Sequence, residues 1–503
     1  MSDAKGFYRK FWLRWLAGLL ALLSVAMWAQ ATGQEQSSTA SSQAPTKTDS
    51  QAPQSQKPAG EAVAAPRKIS PKQADELFRS VDEILQFASK DSGLPIRQTV
   101  NRQLTSRDQV VAYLEKSMAE DKDAKRLQRS EFVLKKFGLL PRDFNLQSFL
   151  LTLLKEQVAG YYDPKTKTVN LLDWLDAEEQ RPVLAHELTH ALQDQSFDLK
   201  KWMKAEDSDI DDRETPTAAD IEEDEIDEAR QAVVEGQAMV TLMDYMLAPV
   251  GKSILTSPEL AKAMKEAMLV GAADSPEFKR APIFLQQELT FPYRYGLDFE
   301  AELLQHGGKE RAFNAVFASP PQSTRQIMQP ETYLSGERMD PMPMPDYNKD
   351  FKNYDRFDIG AIGEFDVAIL VEQYAGVEAS QKIYPQWRGG YYYAVRPKGD
   401  SSGTLGMMYL SRWADAESAG AFAAIYAESL QGRYKQARDA AESKQPGKAD
   451  AIETLSGTHT WLTEEGPVVI SVEGNNLLIT ESLDQSTTER LQQELLPVPG
   501  AAK

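Results

Sequence analysis

The sequence predicts an α+β fold, with a mainly helical first part that contains one small antiparallel sheet and a second α+β domain at the C-terminal end. In the first part, apolar residues recur at helical spacing except in a strand–turn–strand pattern at 160–171. In the second part, helical patterns alternate with short runs rich in aromatic and β-branched residues. A Pro-Met-Pro-Met-Pro run at 341–345 separates the two parts.

Composition limits the kinds of protein that this chain can be. Its 503 residues are 42% hydrophobic and 26% charged, which is typical of a folded protein with about three domains. A net charge of −19 argues against nucleic acid as a partner. The absence of cysteine excludes disulfides, thiol nucleophiles and cysteine metal ligands. Metal or acid–base chemistry therefore has only four histidines to use, namely His186, His190, His306 and His459.

The N-terminal segment, residues 1–31, has the pattern of a secretory signal peptide. Basic residues precede an apolar run at 15–29, which is shorter than the span of about twenty residues that crosses a membrane. Ala29-Gln30-Ala31 provides small residues for cleavage. We therefore expect a periplasmic or extracellular protein, with an uncleaved N-terminal membrane anchor as the alternative. Residues 32–68, rich in Ser, Gln and Pro, predict a disordered linker.

The predicted helical domain covers residues 69–345. Ser70-Pro71 is typical of a helix start, and Ser106 with Gln109 forms a possible capping box. Further helices are predicted at 149–158 and 178–197. The acidic stretch at 206–228 predicts a solvated loop that runs into another helix, and calcium binding is the alternative interpretation.

The predicted C-terminal α+β domain covers residues 346–503. Its predicted helices and strands lie at 365–374, 391–395, 405–413, 416–434, 459–462, 468–472 and 477–480. Residues 473–476 are expected to form a hairpin turn. The aromatic and glycine cluster at 387–393 favours a strand packed on a helix, with partner or sugar binding as the alternative.

One motif indicates chemistry, the run His186-Glu187-Leu188-Thr189-His190. Residues i and i+4 share one helix face, so both imidazoles can bind one cation, and Glu187 can act as a base on water beside it. With four histidines in the chain, about 0.003 chance matches are expected. The alternative is a pair of histidines packed inside a buried helix.

A catalytic zinc site needs a third protein ligand. The three-histidine extension of the motif needs glycine at 193 and histidine at 196, where this chain has Gln193 and Ser196. That class is excluded. His306 and His459 stay open as ligands, although each lies in a different downstream segment.

Glu235 is the better candidate for the third ligand. It lies inside an apolar helical segment, where an unpaired carboxylate is costly. The small residues Gly236 and Ala238 would let another helix approach closely. The alternative is that Glu235 faces solvent.

With these residues, the chain resembles the gluzincin group of zinc metallopeptidases. Residues 185–195, the Glu-Gly-x-Ala run at 235–238 and Pro-Pro-Gln-Ser-Thr at 320–324 also resemble a family of uncharacterised exported bacterial and archaeal proteins, over roughly 155–440. The resemblance implies a zincin-like core that holds one Zn²⁺ per chain on His186, His190 and Glu235, with Glu187 as the general base. It also implies a peptide or protein substrate that binds along an edge strand within 161–171.

The chain departs from the family pattern at Gln329, where related sequences often have histidine. If that histidine stabilises the oxyanion, another donor is needed here. Tyr293, Tyr295, His306, Arg325 and Tyr333 are the candidates, and the sequence does not select among them. A catalytically silent zinc-binding envelope protein with a binding or scaffolding role is therefore the alternative function.

One further carboxylate follows the motif. Asp194 comes one turn after His190 and could accept a hydrogen bond from a ligand imidazole, or lie at the surface.

Overall fold

The computed structural model describes residues 68–118, 121–157, 160–203, 215–273, 275–440 and 454–496. The predicted signal peptide at 1–31, nearly all of the linker and the first part of the acidic stretch lie outside the described residues. Within the described ranges, no helix combines the length and the apolar character needed to cross a membrane.

The chain is a mixed α+β protein, as predicted. The helices of its first part are α1 (Pro71–Ser92), α2 (Arg107–Met118), α3 (Asp121–Phe137), α4 (Leu146–Gln157), α5 (Ala177–Phe197), α6 (Leu199–Trp202), α7 (Ala218–Leu247), α8 (Pro258–Ala273), α9 (Pro276–Lys279), α10 (Ile283–Glu310), α11 (Thr324–Met328) and α12 (Pro330–Leu334). Helix α10 bends at Gly308 and continues through a π-turn at Arg311–Ala315 and a short turn at Val316–Ala318.

The predicted helix starts at Ser70 and Ser106 are confirmed. The Ser70 hydroxyl accepts the Gln73 N–H, and the Gln73 side chain accepts the Ser70 N–H in return. Ser106 and Gln109 exchange the same two hydrogen bonds at the start of α2. These caps satisfy N–H groups that lack a partner inside the helix.

A three-stranded sheet lies beside α5, with strands β1 (Asn101–Thr105), β2 (Tyr161–Asp163) and β3 (Thr168–Leu172) in the order β1-β3-β2. Strands β2 and β3 form the predicted antiparallel hairpin. The sequence did not predict β1, which runs parallel to β3 and makes the sheet mixed. Four of the five residues of β1 are exposed, so its sequence lacks the apolar alternation of a half-buried strand.

The second part is built on a seven-stranded antiparallel sheet, in the order β4-β5-β6-β10-β9-β8-β7. Its strands are β4 (Tyr354–Ala361), β5 (Trp387–Pro397), β6 (Gly406–Trp413), β7 (Ala437–Asp439), β8 (Gly457–Thr463), β9 (Gly466–Glu473) and β10 (Asn476–Glu481). Its helices are α13 (Tyr347–Asp350), α14 (Glu364–Ala375), α15 (Val377–Ile383), α16 (Ala416–Arg433) and α17 (Gln485–Leu495). The five predicted strands and the hairpin turn at 473–476 are confirmed, while β4 and β7 were not predicted.

One cluster of buried apolar side chains runs from Leu77 in α1 to Ile479 in β10, so the two parts share packing. At their junction, the Phe137 ring lies edge-on to Tyr392 and Tyr409, with ring centroids 5.7 and 5.6 Å away. The division into domains at residue 345 stays a prediction.

Two glycines set the distance between α7 and α10. A Cβ atom on Gly236 would overlap the carbonyl oxygen of Gly296, and a Cβ on Gly296 would overlap that of Ala232. The expected close approach at Gly236 is therefore present. It brings α10 against the segment of α7 that carries Glu235.

Candidate metal centre

The HELTH motif lies in the buried middle of α5. Asp176 caps this helix through a hydrogen bond from the Glu178 N–H to its side chain. Helices α1 and α7 and the hairpin β2–β3 pack around α5, so that His186 and Glu187 are almost wholly buried and His190 is only slightly exposed. The helical geometry places both imidazoles on the face that meets α7.

The structure brings the three predicted ligands together. His186 Nε2 lies 3.0 Å from His190 Nε2 and 3.1 Å from Glu235 Oε2, and His190 Nε2 lies 3.4 Å from the same oxygen. A tetrahedral ion with ligands at about 2.0–2.1 Å separates those ligands by about 3.3–3.4 Å. The three atoms therefore fit the ligand triangle of one small divalent cation.

Glu235 is positioned to offer a single oxygen. Gln231, one turn earlier on α7, donates a hydrogen bond of 2.7 Å to Oε1 and leaves Oε2 to the imidazoles. Burial favours the neutral acid, but the charges and hydrogen bonds of the two histidines outweigh it and lower the pKa of Glu235 to about 2. The alternative that Glu235 faces solvent is wrong, because its side chain is 6% exposed.

A chain of amides orients His190. The Gln193 Nε2 donates to the Val234 carbonyl and to Gln237 Oε1, so its Oε1 is the atom that faces His190. That oxygen lies 2.8 Å from His190 Nδ1, which must then carry the proton and leave the Nε2 lone pair for a cation. Gln237 is held in turn by its donation to the Ala312 carbonyl.

Asp194 does not take the imidazole-orienting role, which belongs to Gln193. Its carboxylate is buried and accepts the Tyr162 hydroxyl at 2.9 Å and the Lys167 ammonium. These two contacts join α5 to strand β2 and to the turn of the β2–β3 hairpin. Neither sequence interpretation of Asp194, as ligand partner or as surface residue, is correct.

Glu187 is held by the edge strand of the small sheet. The backbone N–H of Tyr162 in β2 donates a hydrogen bond of 2.7 Å to Glu187 Oε2. Burial is the largest influence on Glu187 and raises its pKa to about 7. A carboxyl group with a pKa near neutrality, beside a cation site, is suited to accept and return a proton.

Among the possible oxyanion donors, the structure brings Tyr293 to the group. Its ring centroid lies 6.2 Å from that of His186. Burial and the charges of Glu235 and Glu187 raise the pKa of Tyr293 well above its usual value, so the hydroxyl keeps its proton.

The other sequence candidates have their contacts elsewhere. Gln329 donates to Glu364 at 2.7 Å, and Arg325 pairs with Glu364 and Glu337. The Tyr333 hydroxyl donates to the Ser319 carbonyl. Position 329 therefore belongs to a buried Arg–Glu network and has its contacts apart from the His–His–Glu group.

His306 and His459 also lie apart from the group. His306 is exposed on α10 beside Glu302, and His459 in β8 contacts the Ser456 carbonyl. Tyr295 packs against Phe291 and Phe365.

No protein-family model, curated protein or solved structure matches the chain. The fold and the site therefore define a mixed α+β protein with a buried His186–His190–Glu235 group that could hold a metal ion.

Proposed function

We propose that the protein is an exported, zinc-dependent metallopeptidase of the gluzincin group with a zincin-like core. The observation that carries the proposal is the convergence of three ligand atoms within 4.8 Å of one another, next to a carboxylate held by an edge strand. His186, His190 and Glu235 would hold one zinc ion. Two neutral imidazoles and one carboxylate leave a net charge of about +1 at such a site. When bound, zinc supplies a Lewis acid that polarises a carbonyl and lowers the pKa of water.

In this mechanism Glu187 is the general base. Its carboxylate takes the proton of the attacking water and then gives that proton to the leaving amine. The Tyr162 N–H holds Oε2, and in this proposal Oε1 would accept the proton of the water. Tyr293 lies near Glu235 and Glu187 with its proton retained, and it is our candidate donor to the oxygen that becomes negative.

The substrate in this proposal is an extended peptide beside β2, the edge strand of the small sheet. The N–H and carbonyl of one strand residue point to the same side, so the Tyr162 carbonyl points to the same edge as the N–H that Glu187 accepts. Strand β2 is buried, and in this proposal a substrate N–H would pair with that carbonyl and add the peptide to the sheet.

The first experiment measures metal content and peptide cleavage together. We expect the purified protein to bind one zinc ion per chain, and Glu235→Ala to lose most of it. Glu187→Gln should retain zinc but lower cleavage of a peptide library by about 10²–10⁴-fold, because the base is gone. Mass spectrometry of the metal and of the peptides reports both results.

Two outcomes would overturn the proposal. Absence of zinc from the wild-type protein after zinc is supplied would remove the metal centre. Equal inertness of wild type and Glu187→Gln, with zinc bound to both, would support a zinc-binding envelope protein without catalytic activity.

A further inference from the structure

Strand β2 contacts helix α5 through both ends of a single residue, Tyr162. Its backbone N–H donates a hydrogen bond of 2.7 Å to Glu187 Oε2, and its hydroxyl donates one of 2.9 Å to Asp194 Oδ2. Glu187 and Asp194 are seven residues apart on α5, which is about 10.5 Å along the axis and about two turns. The two carboxylates therefore lie on one face of the helix, and Tyr162 spans the distance between them.

Asp194 is held in this contact from several sides. Its side chain is 1% exposed, and its Oδ2 receives both the Tyr162 hydroxyl and the ammonium group of Lys167. Its Oδ1 accepts the backbone N–H of Leu199 at 3.3 Å, at the start of α6. A buried carboxylate needs such partners, because an unpaired charge away from water is costly. Burial and the Asp194 charge raise the pKa of the Tyr162 hydroxyl, so this group keeps its proton and donates.

Lys167 has a backbone conformation that lysine rarely adopts. Its φ is 55°, in the left-handed region, where glycine or asparagine is usual because a Cβ atom crowds the backbone. The turn before it is stabilised by Asp163, whose carboxylate accepts the Lys165 N–H and the Thr166 hydroxyl, each at 2.9 Å. Strain at a residue whose ammonium group pairs with Asp194 points to a role for that side chain.

The two bonds of Tyr162 fix the register of β2 along α5. Neighbouring residues of a strand face opposite sides of the sheet, so a slip of one residue would put Tyr161 or Asp163 on the α5 side. Tyr161 would then leave its stack on Tyr113 of α2, in which the ring centroids are 5.1 Å apart. Asp163 would instead bring a third carboxylate towards the two on α5, where like charges repel. The observed register gives both carboxylates of α5 a donor.

We propose that Asp194, Tyr162 and Lys167 are positioning residues for Glu187. Asp194 fixes the Tyr162 side chain, that side chain fixes the register of β2, and the register places the N–H that holds Glu187 Oε2. The three side chains act through Glu187 rather than on the reacting atoms. The role of Glu187 as general base rests on the proposed peptidase function, whereas the coupling of Asp194 to the Tyr162 N–H does not.

Hydrogen–deuterium exchange of the Tyr162 amide tests the coupling without any need for activity. Mass spectrometry with backbone fragmentation resolves this amide in the full chain, and all proteins receive the same supply of zinc. Glu187→Ala establishes how fast the amide exchanges without its acceptor. Tyr162→Phe, which removes the hydroxyl alone, and Asp194→Asn should each speed exchange at residue 162 about tenfold, because the N–H loses its fixed place. Amides that join β1 to β3 should exchange as in wild type.

Matched controls lie in the same hairpin. Tyr161→Phe makes the same chemical change on the opposite face of β2 and should leave exchange at residue 162 unaltered. Lys165→Gln, at an exposed lysine of the turn, should also leave it unaltered, whereas Lys167→Gln should speed it about threefold. Lys167→Arg retains a cation for Asp194 and should keep exchange slow.

Peptide cleavage measures the consequence for the proposed reaction. Tyr162→Phe and Asp194→Asn should lower kcat about 10–100-fold and keep one zinc ion per chain, because they displace the base without removing a ligand. Lys167→Arg should cleave faster than Lys167→Gln. A variant that only loosens the fold would instead lose zinc and kcat together.

Unchanged exchange at residue 162 in Glu187→Ala, or in both Tyr162→Phe and Asp194→Asn, would overturn this inference. Faster exchange spread equally over β1–β3 would overturn it too, since it would show a general loosening of the sheet. Should Asp194→Asn fail to fold, Tyr162→Phe decides the result alone. Localised faster exchange in a protein that cleaves no peptide would remove the proposed peptidase and leave the coupling in place, and cleavage with unaltered exchange would do the reverse.

Discussion

Two buried charged clusters in this protein satisfy their carboxylates in different ways. Glu481, at the end of β10, is fully buried and receives Arg433 at 2.6 Å, the Tyr426 hydroxyl at 2.7 Å and the Tyr434 hydroxyl, with Lys136 at 3.7 Å. Each of these partners faces the carboxylate with an N–H or O–H group of its own. These donors, the Arg433 and Lys136 charges foremost, outweigh burial and lower the pKa of Glu481.

Glu235, the carboxylate of the candidate metal centre, has different neighbours. Gln231 donates to Glu235 Oε1, while Oε2 faces the Nε2 atoms of His186 and His190. The His190 ring carries a proton on its other nitrogen, Nδ1. Three atoms that can each ligate a metal converge on one point, and a shared cation would complete such a group. The comparison teaches that the Glu481 cluster is completed by the chain itself, whereas the Glu235 group is arranged so that it could hold a metal ion.

The largest expected effect is at Glu481. Glu481→Ala leaves the Arg433 charge buried without a carboxylate, and we expect the free energy of unfolding to fall by about 3–5 kcal/mol. Denaturant unfolding measures it. Glu378→Ala is the control, because Glu378 is 86% exposed and pairs with the exposed Lys382, so its loss should leave the free energy of unfolding almost unchanged. An equal loss in both variants would remove the distinction between the two ion pairs.

The Gly236–Gly296 contact supports the candidate metal centre through packing. Gly236→Ala forces α7 and α10 apart, and we expect a loss of about 1–3 kcal/mol in unfolding free energy together with weaker zinc binding. Gly432→Ala in α16 is the matched control, since its Cβ would find its nearest neighbour at 3.8 Å. That variant should be as stable as wild type or slightly more so. Equal stability of the two variants would contradict the role of the contact.

The contact between Gln193 and His190 tests whether His190 is oriented as a metal ligand or is only a buried histidine. Gln193→Ala removes the acceptor on Nδ1 and should weaken zinc binding about 10–100-fold, as measured by competition with a chelator. Gln195→Ala removes a glutamine on the same helix that contacts the backbone of Arg97 and Gln98, and it should leave zinc affinity unchanged. Unchanged affinity in both would assign His190 another orienting partner.

Asp91 and Asp244 form a third buried group, in which two carboxyl groups meet. Burial and the charge of Asp91 raise the pKa of Asp244 to about 7 from its ordinary 3.8. The folded protein therefore holds a proton that the unfolded chain releases near pH 4. This contribution to stability is full below about pH 4 and is lost as the pH rises through about 7.

The carboxyl pair predicts that stability depends on pH. Between pH 5 and pH 8, wild type should lose on the order of 2 kcal/mol of unfolding free energy more than Asp244→Asn, which cannot ionise there. Thermal unfolding at several pH values measures the difference. Asp298→Asn, at a half-exposed carboxylate paired with Lys265, should follow the wild-type pH profile. Parallel profiles for wild type and Asp244→Asn would exclude the shared proton.

The predicted elements that match the structure depend on nearby residues. The caps at Ser70 and Ser106 join residues three apart, and the hairpin at 473–476 joins adjacent strands. Strand β1 was not predicted from the sequence because its side chains are mostly exposed and its partner β3 lies more than sixty residues later. The order of the large sheet, with β10 between β6 and β9, likewise follows from long-range pairing.

The same division applies to the candidate site. The two histidines follow from helix geometry, since residues four apart share a face whatever the rest of the chain does. Burial of Glu235 was indicated by its apolar neighbours, but its position beside the histidines required α5 and α7 to pack together. His190 contacts Gln193 rather than Asp194. The Val234 carbonyl on α7 accepts the Gln193 amide N–H and orients that side chain, and the β2–β3 hairpin contacts the Asp194 carboxylate. Local hydrogen bonding and periodicity are encoded residue by residue. The Tyr162 contact to Glu187, the approach of Tyr293 and the place of Gln329 depend on which buried surfaces meet in the folded chain.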